Sequence, residues 1–290
     1  MKIITHNGSF HSDDVFAVAT LFLKFGKDHE LIRTRDPEII KSADIAVDVG
    51  HEYDESRLRF DHHQGPPLRP DGIPYASFGL VWKKYGAEIA GSSDAAVIIE
   101  HELVRPIDAA DNSIDVVVPA IEGLFPYLIQ DVVKALRPTW QEDADFDAGF
   151  MQAVGIADTV LRREIMHARA KLEAQAKLQS FYDAAADKRM LILDRHYPKD
   201  DFLFAHPDVL FVIFPNDTGE PSWIVRTVAA KEGAFESRKD LPESWAGLRD
   251  ADLAKVTGVP DAVFCHRARF LAVAKTREGA IKLAELALTA

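Results

Sequence analysis

The chain has 290 residues, of which 47% are hydrophobic and 28% are charged, and its formal net charge is −12 at pH 7. This length and composition allow a large core in one or two domains and exclude an intrinsically disordered protein. The one cysteine, Cys265, excludes an intramolecular disulfide and thiolate zinc clusters. We see no signal-peptide pattern and no apolar run that could span a bilayer, so we expect a soluble, cytoplasmic protein.

The negative charge is concentrated in the N-terminal part of the chain. Residues 1–188 carry 20 Lys and Arg against 31 Asp and Glu, a net charge of −11. Residues 189–290 carry 14 and 15, a net charge of −1. The acidic N-terminal part argues against nucleic-acid binding through charge alone, and it suits a site that must hold cations.

The first part of the chain alternates between predicted strands and helices. Short β-rich or apolar runs predict strands, and apolar residues at helical spacing predict helices. The strands are 2–5, 45–49 and 58–60, and the helices are 13–25, 76–85 and about 95–105. This alternation predicts an α/β domain with a parallel sheet covered on both faces by helices.

The pattern then changes from long helices to closely spaced strands. Residues 149–186 predict one or two long helices, rich in Ala, Leu, Lys, Arg and Glu. Strands are predicted at 190–193, 209–214, 223–228, 262–265 and 270–274, followed by a closing helix at 278–288. We therefore expect an N-terminal catalytic domain over 1–188 and a smaller α+β domain over 189–290.

Histidines and aspartates follow the ends of several predicted elements. Six of the eleven histidines lie within the first 63 residues. The segments concerned are His6 to Asp14, Asp48, the triplet Asp61-His62-His63, and Asp108 to Asn112. In an open parallel sheet, the edge where strands give way to loops is where ligands bind.

These residue types suit divalent metal ions. Imidazole nitrogen and carboxylate oxygen together bind Mn²⁺, Fe²⁺, Co²⁺ and Zn²⁺. Two neighbouring cations repel each other unless a carboxylate lies between them, and Asp48 is the candidate for that bridge. Each motif alone has a simpler interpretation. Asp13, for example, could be a helix-capping residue and nothing more. The combination at successive element ends favours a metal site.

The same residues resemble the DHH phosphoesterase superfamily, named for the triplet that stands here as Asp61-His62-His63. The closer resemblance is to its MYG-type family of metal-dependent hydrolases and exonucleases. It covers nearly the whole chain. The segments that carry it are THNGSFHSDDVFA at 5–17, RFDHHQ at 59–64, ASFGLVWKKYG at 76–86, DAADN at 108–112, SWAGLRD at 244–250 and KTREGA at 275–280.

The resemblance implies a role for each residue of the N-terminal set. It implies two divalent ions, expected to be Mn²⁺, with Asp48 bridging them. Asp61 and His63 would be the catalytic pair, with Asp61 orienting a histidine and His63 lying near the substrate phosphate. The implied metal ligands are His6, His11, Asp13, Asp48, His62 and Asp111.

The resemblance also implies that the C-terminal domain contacts the substrate. Arginine suits phosphate geometry, although surface arginines are often only solvated. Relatives carry a glycine pair where this chain has 272–274, and close backbone approach is harder without glycine. The implied substrate-binding residues are His266, Arg267, Arg269, Lys275 and Arg277.

The function expected from the resemblance is hydrolysis of a phosphodiester in RNA or a short oligonucleotide, as a 3′–5′ exoribonuclease. A phosphatase or pyrophosphatase acting on a small molecule is the alternative enzyme. A regulatory protein that retains a metal site without catalysis is the alternative outside enzymes. No HExxH or GxSxG pattern supports a protein hydrolase.

Overall fold

The structure is a computed structural model, and it describes residues 1–65, 67–143 and 145–290. Two compact units divide it, Met1–Arg169 and Ala170–Ala290. We expected the division near residue 188, after the long helix. It falls within that helix because Ala174 and Leu178 belong to a core of the second unit, with Leu191 among their partners.

The first unit contains a mixed five-stranded sheet in the order β2-β1-β3-β5-β4. Its first four strands are parallel, and β4 pairs with β5 in the antiparallel sense. Ile3 and Ile4 point to opposite faces of β1 and both are fully buried, so both faces of that strand are covered. The strands are β1 (Lys2–Thr5), β2 (Glu30–Arg33), β3 (Ile45–Val47), β4 (Tyr53–Asp54) and β5 (Arg59–Phe60).

The helices of the first unit pack around a central helix that is buried on nearly every side. All residues from 12 to 22 of this helix, α1, are buried, and Phe16 contacts Phe78 of α3 with ring centroids 5.3 Å apart. A helix that is apolar all round belongs in a core. The helices are α1 (Ser12–Phe25), α2 (Pro37–Lys41), α3 (Ser77–Ala90), α4 (Ser93–Ile99), α5 (Arg105–Asp111), α6 (Ile129–Ala135) and α7 (Phe146–Ala184), which continues into the second unit.

Helices α4 and α5 are joined by a π-helical turn, Glu100–Val104. Pro106 lies in the first turn of α5 and has no N–H to donate, which disfavours ordinary helical bonding just before it. The sequence predicted one helix ending near residue 105. The structure extends the helical path to Asp111, and this places Asp111 at the candidate site.

The second unit is built on a second five-stranded sheet, in the order β6-β7-β8-β10-β9. Helix α10 packs on this sheet, and its residues Leu283 and Ala287 are fully buried. The strands are β6 (Met190–Ile192), β7 (Phe211–Pro215), β8 (Trp223–Thr227), β9 (Ala262–Cys265) and β10 (Leu271–Ala274). The helices that begin in this unit are α8 (Asp200–Ala205), α9 (Asp250–Thr257) and α10 (Arg277–Thr289), with a 3₁₀ turn at Glu243–Trp245.

The mixed α/β class expected from the sequence is confirmed, with two five-stranded sheets in the described ranges. Every strand and helix predicted from the sequence has a counterpart in the structure, although α3 continues to Ala90 and the helical path that begins with α4 continues to Asp111. The short elements β2, β4, α2, α6, α8 and α9 were not predicted. No helix among the described residues combines the length and apolar character that a membrane crossing requires.

Candidate metal centre

The candidate site lies where three parallel strands of the first sheet end. Strand β1 ends one residue before His6, β3 one residue before Asp48, and β5 one residue before Asp61. These strands are neighbours with the same direction, so their carboxyl ends meet at one edge. The sheet therefore brings together three segments that are far apart in sequence.

Asp48 lies at the centre of the site and contacts two histidines through different oxygens. Its Oδ2 is 3.2 Å from His6 Nε2, and its Oδ1 is 3.3 Å from His62 Nε2. The Ser77 hydroxyl, in the first turn of α3, donates a hydrogen bond to Oδ1 at 2.9 Å. Burial alone would raise the pKa of Asp48, but the two histidines outweigh it and hold that pKa below its usual range.

The backbone at Asp48 has a positive φ of 53°, which is uncommon outside glycine. Aspartate tolerates this left-handed conformation better than most residues. Strand β3 ends just before Asp48. The residue is only 4% exposed, and its carboxylate contacts the two histidines. The sequence contained no signal for Ser77 or for this backbone conformation.

Helix α1 contributes two fully buried carboxylates, Asp13 and Asp14. Asp14 Oδ2 is 3.1 Å from His6 Nε2, while its Oδ1 accepts hydrogen bonds from the backbone N–H groups of His11 and Val15. Asp14 was not among the predicted site residues. Its position three residues after the helix cap predicts only the capping bond, and the contact with His6 becomes visible in the structure.

The electrostatics of this cluster depend on both burial and neighbouring charges. Burial would lower the pKa of His6, but the nearby carboxylates of Asp14 and Asp48 outweigh it and raise that pKa to about 10. The pKa of Asp13 is raised well above its usual value, first by burial and then by the charges of Asp48 and Asp111. Both carboxylate oxygens of Asp13 are buried, and neither has a hydrogen-bond partner among the described residues.

A second histidine connects the remaining aspartate to the cluster. His62 Nε2 lies 3.2 Å from Asp111 Oδ2 and 3.8 Å from Asp13 Oδ2. Burial would lower the pKa of His62, but the nearby carboxylates of Asp111 and Asp48 outweigh it and raise that pKa to about 10. Asp111 ends α5, so four separate segments of the chain converge here.

The potential ligand atoms fit divalent cations. Buried carboxylate oxygens without hydrogen-bond partners are costly unless a cation neutralises them, and imidazole with carboxylate is the donor set that divalent metals accept. Asp48 belongs to two of the groups whose ligand atoms lie within 4.8 Å of one another. Among the described residues these groups are His6 with Asp14 and Asp48, Asp48 with His62 and His63, and His11 with Asp13 and Asp111.

Asp61 holds His63 rather than facing the other carboxylates. Its Oδ1 accepts hydrogen bonds from His63 Nδ1 at 2.7 Å and from the His63 backbone at 3.0 Å, and its Oδ2 accepts the His51 backbone N–H at 2.7 Å. Asp61 is 1% exposed, whereas the His63 side chain is 51% exposed. A buried carboxylate thus fixes an imidazole that is open to solvent.

Asp108 belongs to the packing of the first unit and not to the groups of potential ligands. Its Oδ2 accepts from Arg69 Nη2 at 2.6 Å, and its Oδ1 accepts from the backbone of Gly79 at 3.0 Å. A Cβ at Gly79 would lie 1.8 Å from Asp108 Oδ2, so only glycine fits there. In the segment 108–112, Asp108 therefore anchors the start of α3, while Asp111 reaches the cluster.

The predicted substrate-binding residues of the second unit do not form one patch. His266, Arg267 and Arg269 lie in the turn between β9 and β10, whereas Lys275 and Arg277 follow the other end of β10. Arg269 forms an ion pair with Asp240 at 2.9 Å.

A cavity of about 860 Å³ in the second unit includes Arg277 in its lining. The guanidinium of Arg277 lies 5.9 Å from the ring centroid of Trp223, another lining residue. Arg267 is exposed on the turn at the other end of β10. The two arginines therefore have different surroundings, and their contributions to binding can be measured separately.

A family model and curated relatives both match this chain over nearly its full length. The model of a family described as MYG1_exonuc, uncharacterised protein family UPF0160, matches residues 2–288. The MYG1 exonuclease of Homo sapiens is 33% identical, over 99% of this chain and 85% of the human protein. A MYG1 protein of Saccharomyces cerevisiae is 31% identical, over 99% of this chain and 95% of the yeast protein.

A solved structure of a pGpG-specific phosphodiesterase from Vibrio cholerae covers 100% of this chain and 99% of its own, at 10% identity and a TM-score of 0.35. A score this low carries no argument here. The relatives found by sequence are sufficient to assign the family, because their similarity extends across both units at or above 30% identity. The chain belongs to the MYG1 exonuclease family and is, as the sequence predicted, an enzyme of the hydrolase class.

Proposed function

We propose that the protein hydrolyses phosphodiester bonds with two divalent ions, Mn²⁺ in the native enzyme, held at the edge of the first sheet. The contacts of Asp48 carry this proposal, because its two oxygens approach two different histidines. A carboxylate in that position suits a bridge between two cations. The proposed ligands are His6, His11, Asp13, Asp48, His62 and Asp111, with Asp14 beside His6 as a further candidate.

Such ions, when bound, lower the pKa of a coordinated water and neutralise charge on phosphoryl oxygens. The chain's own residues prepare the site for a phosphate. The hydrogen bond with Asp61 occupies Nδ1 of His63 and leaves Nε2 as the nitrogen available to a phosphate oxygen or a leaving group. We propose Asp61 as the residue that positions His63, and His63 as the residue that touches the substrate.

We propose RNA or a short oligonucleotide as the substrate, cleaved from the 3′ end. The family relation supports a nuclease, since the human relative is named an exonuclease. In the second unit, His266, Arg267, Arg269, Lys275 and Arg277 are proposed to contact the polyanion. The separation of these residues along β10 supports contacts with more than one phosphate.

A substrate panel with Mn²⁺ tests this function. The panel contains RNA, DNA and dinucleotides labelled at either end, inorganic pyrophosphate and a small chromogenic phosphate monoester. We expect mononucleotides released from the 3′ end of RNA, with Asp48→Asn as the inactive control. Rapid turnover of pyrophosphate or the monoester with no cleavage of oligonucleotides would replace this proposal with that of a small-molecule phosphatase.

A further inference from the structure

A cavity of about 840 Å³ extends away from the candidate metal centre within the first unit. A volume of this size holds a small organic ligand and not only a water or an ion. Its lining includes His6, Asp48 and His63 of the candidate centre and the apolar side chains of Pro37 and Ile40. The cavity thus has room for part of a substrate beyond the phosphate at the cluster.

Four cationic side chains that line this cavity differ in their partners. Lys41 pairs with Glu38 at 2.6 Å, and Arg57 pairs with Glu52. The guanidinium of Arg59 is directed to backbone carbonyls, including that of Ala43 at 2.9 Å. Arg35 is exposed and takes part in none of the ion pairs found among the described residues. An arginine without a carboxylate partner keeps its charge available to an anion.

The backbone and side chain of Asn7 hold Arg35 in place. Its Nη1 donates to the carbonyl of Asn7 and, at 3.1 Å, to Asn7 Oδ1. A guanidinium has five N–H donors in a fixed plane, so these bonds orient the group and leave further donors for a ligand. This pre-organisation lowers the entropy lost when an anion binds.

Arg35 and the cluster lie on opposite edges of one imidazole ring. His6 Nε2 faces Asp14 and Asp48, at 3.1 and 3.2 Å, while His6 Nδ1 lies 3.2 Å from Arg35 Nη2. The ring therefore separates the guanidinium from the point where Nε2 would meet an ion. A phosphate that reacts at the cluster is on the far side of that ring from Arg35.

We propose that Arg35 binds a second phosphate of the substrate, next to the one that is hydrolysed. This inference rests on the proposed function and specifies its substrate class, a dinucleotide or longer oligonucleotide with a phosphate adjoining the reacting phosphodiester. The cavity beside them has room for the intervening sugar and base, and Pro37 and Ile40 are apolar residues of its lining.

Dinucleotides test the proposal because they can be made with one phosphate or two. A dinucleoside monophosphate contains only the reacting phosphate, and a terminal 5′- or 3′-phosphate adds the second. We expect the wild-type kcat/KM for one of the two phosphorylated forms to exceed that for the dinucleoside monophosphate by about tenfold or more. A charge-assisted hydrogen bond has an effect of this size. Arg35→Ala should remove that preference and leave kcat/KM for the monophosphate within about twofold.

Arg57→Ala is the matched control, since it removes the same charge from the same cavity, and it should keep the preference. Bound Mn²⁺ is measured in each variant. A wild type with no preference, or an Arg35→Ala variant that loses metal or loses both substrates equally, would overturn the proposal and indicate that Arg35 only supports His6.

Equilibrium binding of the same dinucleotides gives a second readout that does not need turnover. If the wild type cleaves none of them, the proposed function fails. The ratio of the dissociation constant for the dinucleoside monophosphate to that for the preferred phosphorylated form still decides the role of Arg35. An unchanged ratio in Arg35→Ala contradicts that role, and a ratio near one in that variant alone supports it.

Discussion

The candidate metal centre and the cations of the second unit are held in different ways. At the centre, Asp13, Asp14 and Asp48 are almost fully buried, and strand ends and a helix start fix their positions. In the second unit, Arg267 and Arg277 are exposed and lie beyond opposite ends of β10. Fixed, desolvated groups suit chemistry, whereas exposed arginines suit the binding of a long anion.

The largest expected effect comes from neutralising the shared carboxylate. Asp48→Asn keeps the shape of the side chain but removes the charge that would separate two cations. We expect kcat to fall by roughly a thousandfold or more, because the ions supply several kcal/mol of stabilisation to the transition state. Steady-state kinetics on a labelled oligonucleotide, with circular dichroism as a check of folding, measure this. Turnover within tenfold of the wild type would show that Asp48 is not central.

A backbone substitution tests whether packing holds the centre in place. Gly79→Ala places a Cβ against Asp108 and should displace the start of α3, which carries Ser77 and its hydrogen bond to Asp48. We expect a loss of about 2–4 kcal/mol in the free energy of unfolding, together with weaker Mn²⁺ binding. Urea denaturation and metal titration measure the two effects.

Gly155→Ala is the control for that substitution. Gly155 lies inside α7 with nothing within 4 Å of an added Cβ, so alanine should stabilise the protein by up to about 1 kcal/mol. If both glycine variants keep wild-type stability, the close approach of Gly79 to Asp108 is not a constraint.

A smaller effect is expected at the residue that holds His63. Asp61→Asn replaces one acceptor oxygen with an NH2 group, so the side chain can no longer accept hydrogen bonds from both the His51 backbone and His63. We expect kcat to fall by about 10–100-fold with Mn²⁺ content unchanged. Asp94→Asn, at an exposed position in α4, is the matched control. Loss of metal in Asp61→Asn would instead place Asp61 among the ligands.

Substitutions in the second unit are expected to change KM rather than kcat. Arg267→Ala and Arg277→Ala should each raise KM for an oligonucleotide, with a cost of about 1.5–3 kcal/mol for each real charged contact. KM for a small chromogenic phosphodiester should stay unchanged. Because the two residues lie beyond opposite ends of β10, the double variant should show the sum of the two effects. Equal shifts for both substrates would contradict a role in recognising the polyanion.

Much of the fold could be predicted from the sequence because its main elements have strong periodicity. The buried strand at 45–47 and the helix at 12–25 are apolar enough to be recognised locally. Short elements such as β2 and α2 have only four or five residues and no clear periodicity, so local patterns miss them. An apolar position such as Leu178 does not show in sequence which core it joins, and the structure places it in a core of the second unit.

The candidate site was only partly predictable for a similar reason. Histidines and aspartates at strand ends mark the cluster, but the partners of Asp48 depend on tertiary contacts. Ser77 comes from a distant helix, and Asp14 looks like a helix-capping residue in sequence. Arg35 is one of many charged residues, and only the structure shows that it forms no ion pair with the residues described.

Anomalous diffraction from crystals grown with Mn²⁺ is the sharpest test of the two-ion centre, because it locates each ion relative to Asp48. We expect two peaks per chain at the edge of the first sheet. Each peak should lie within roughly 2.3 Å of a different oxygen of Asp48, the usual range for metal–oxygen bonds. A single peak, or two peaks that do not share Asp48, would show that Asp48 does not bridge two ions.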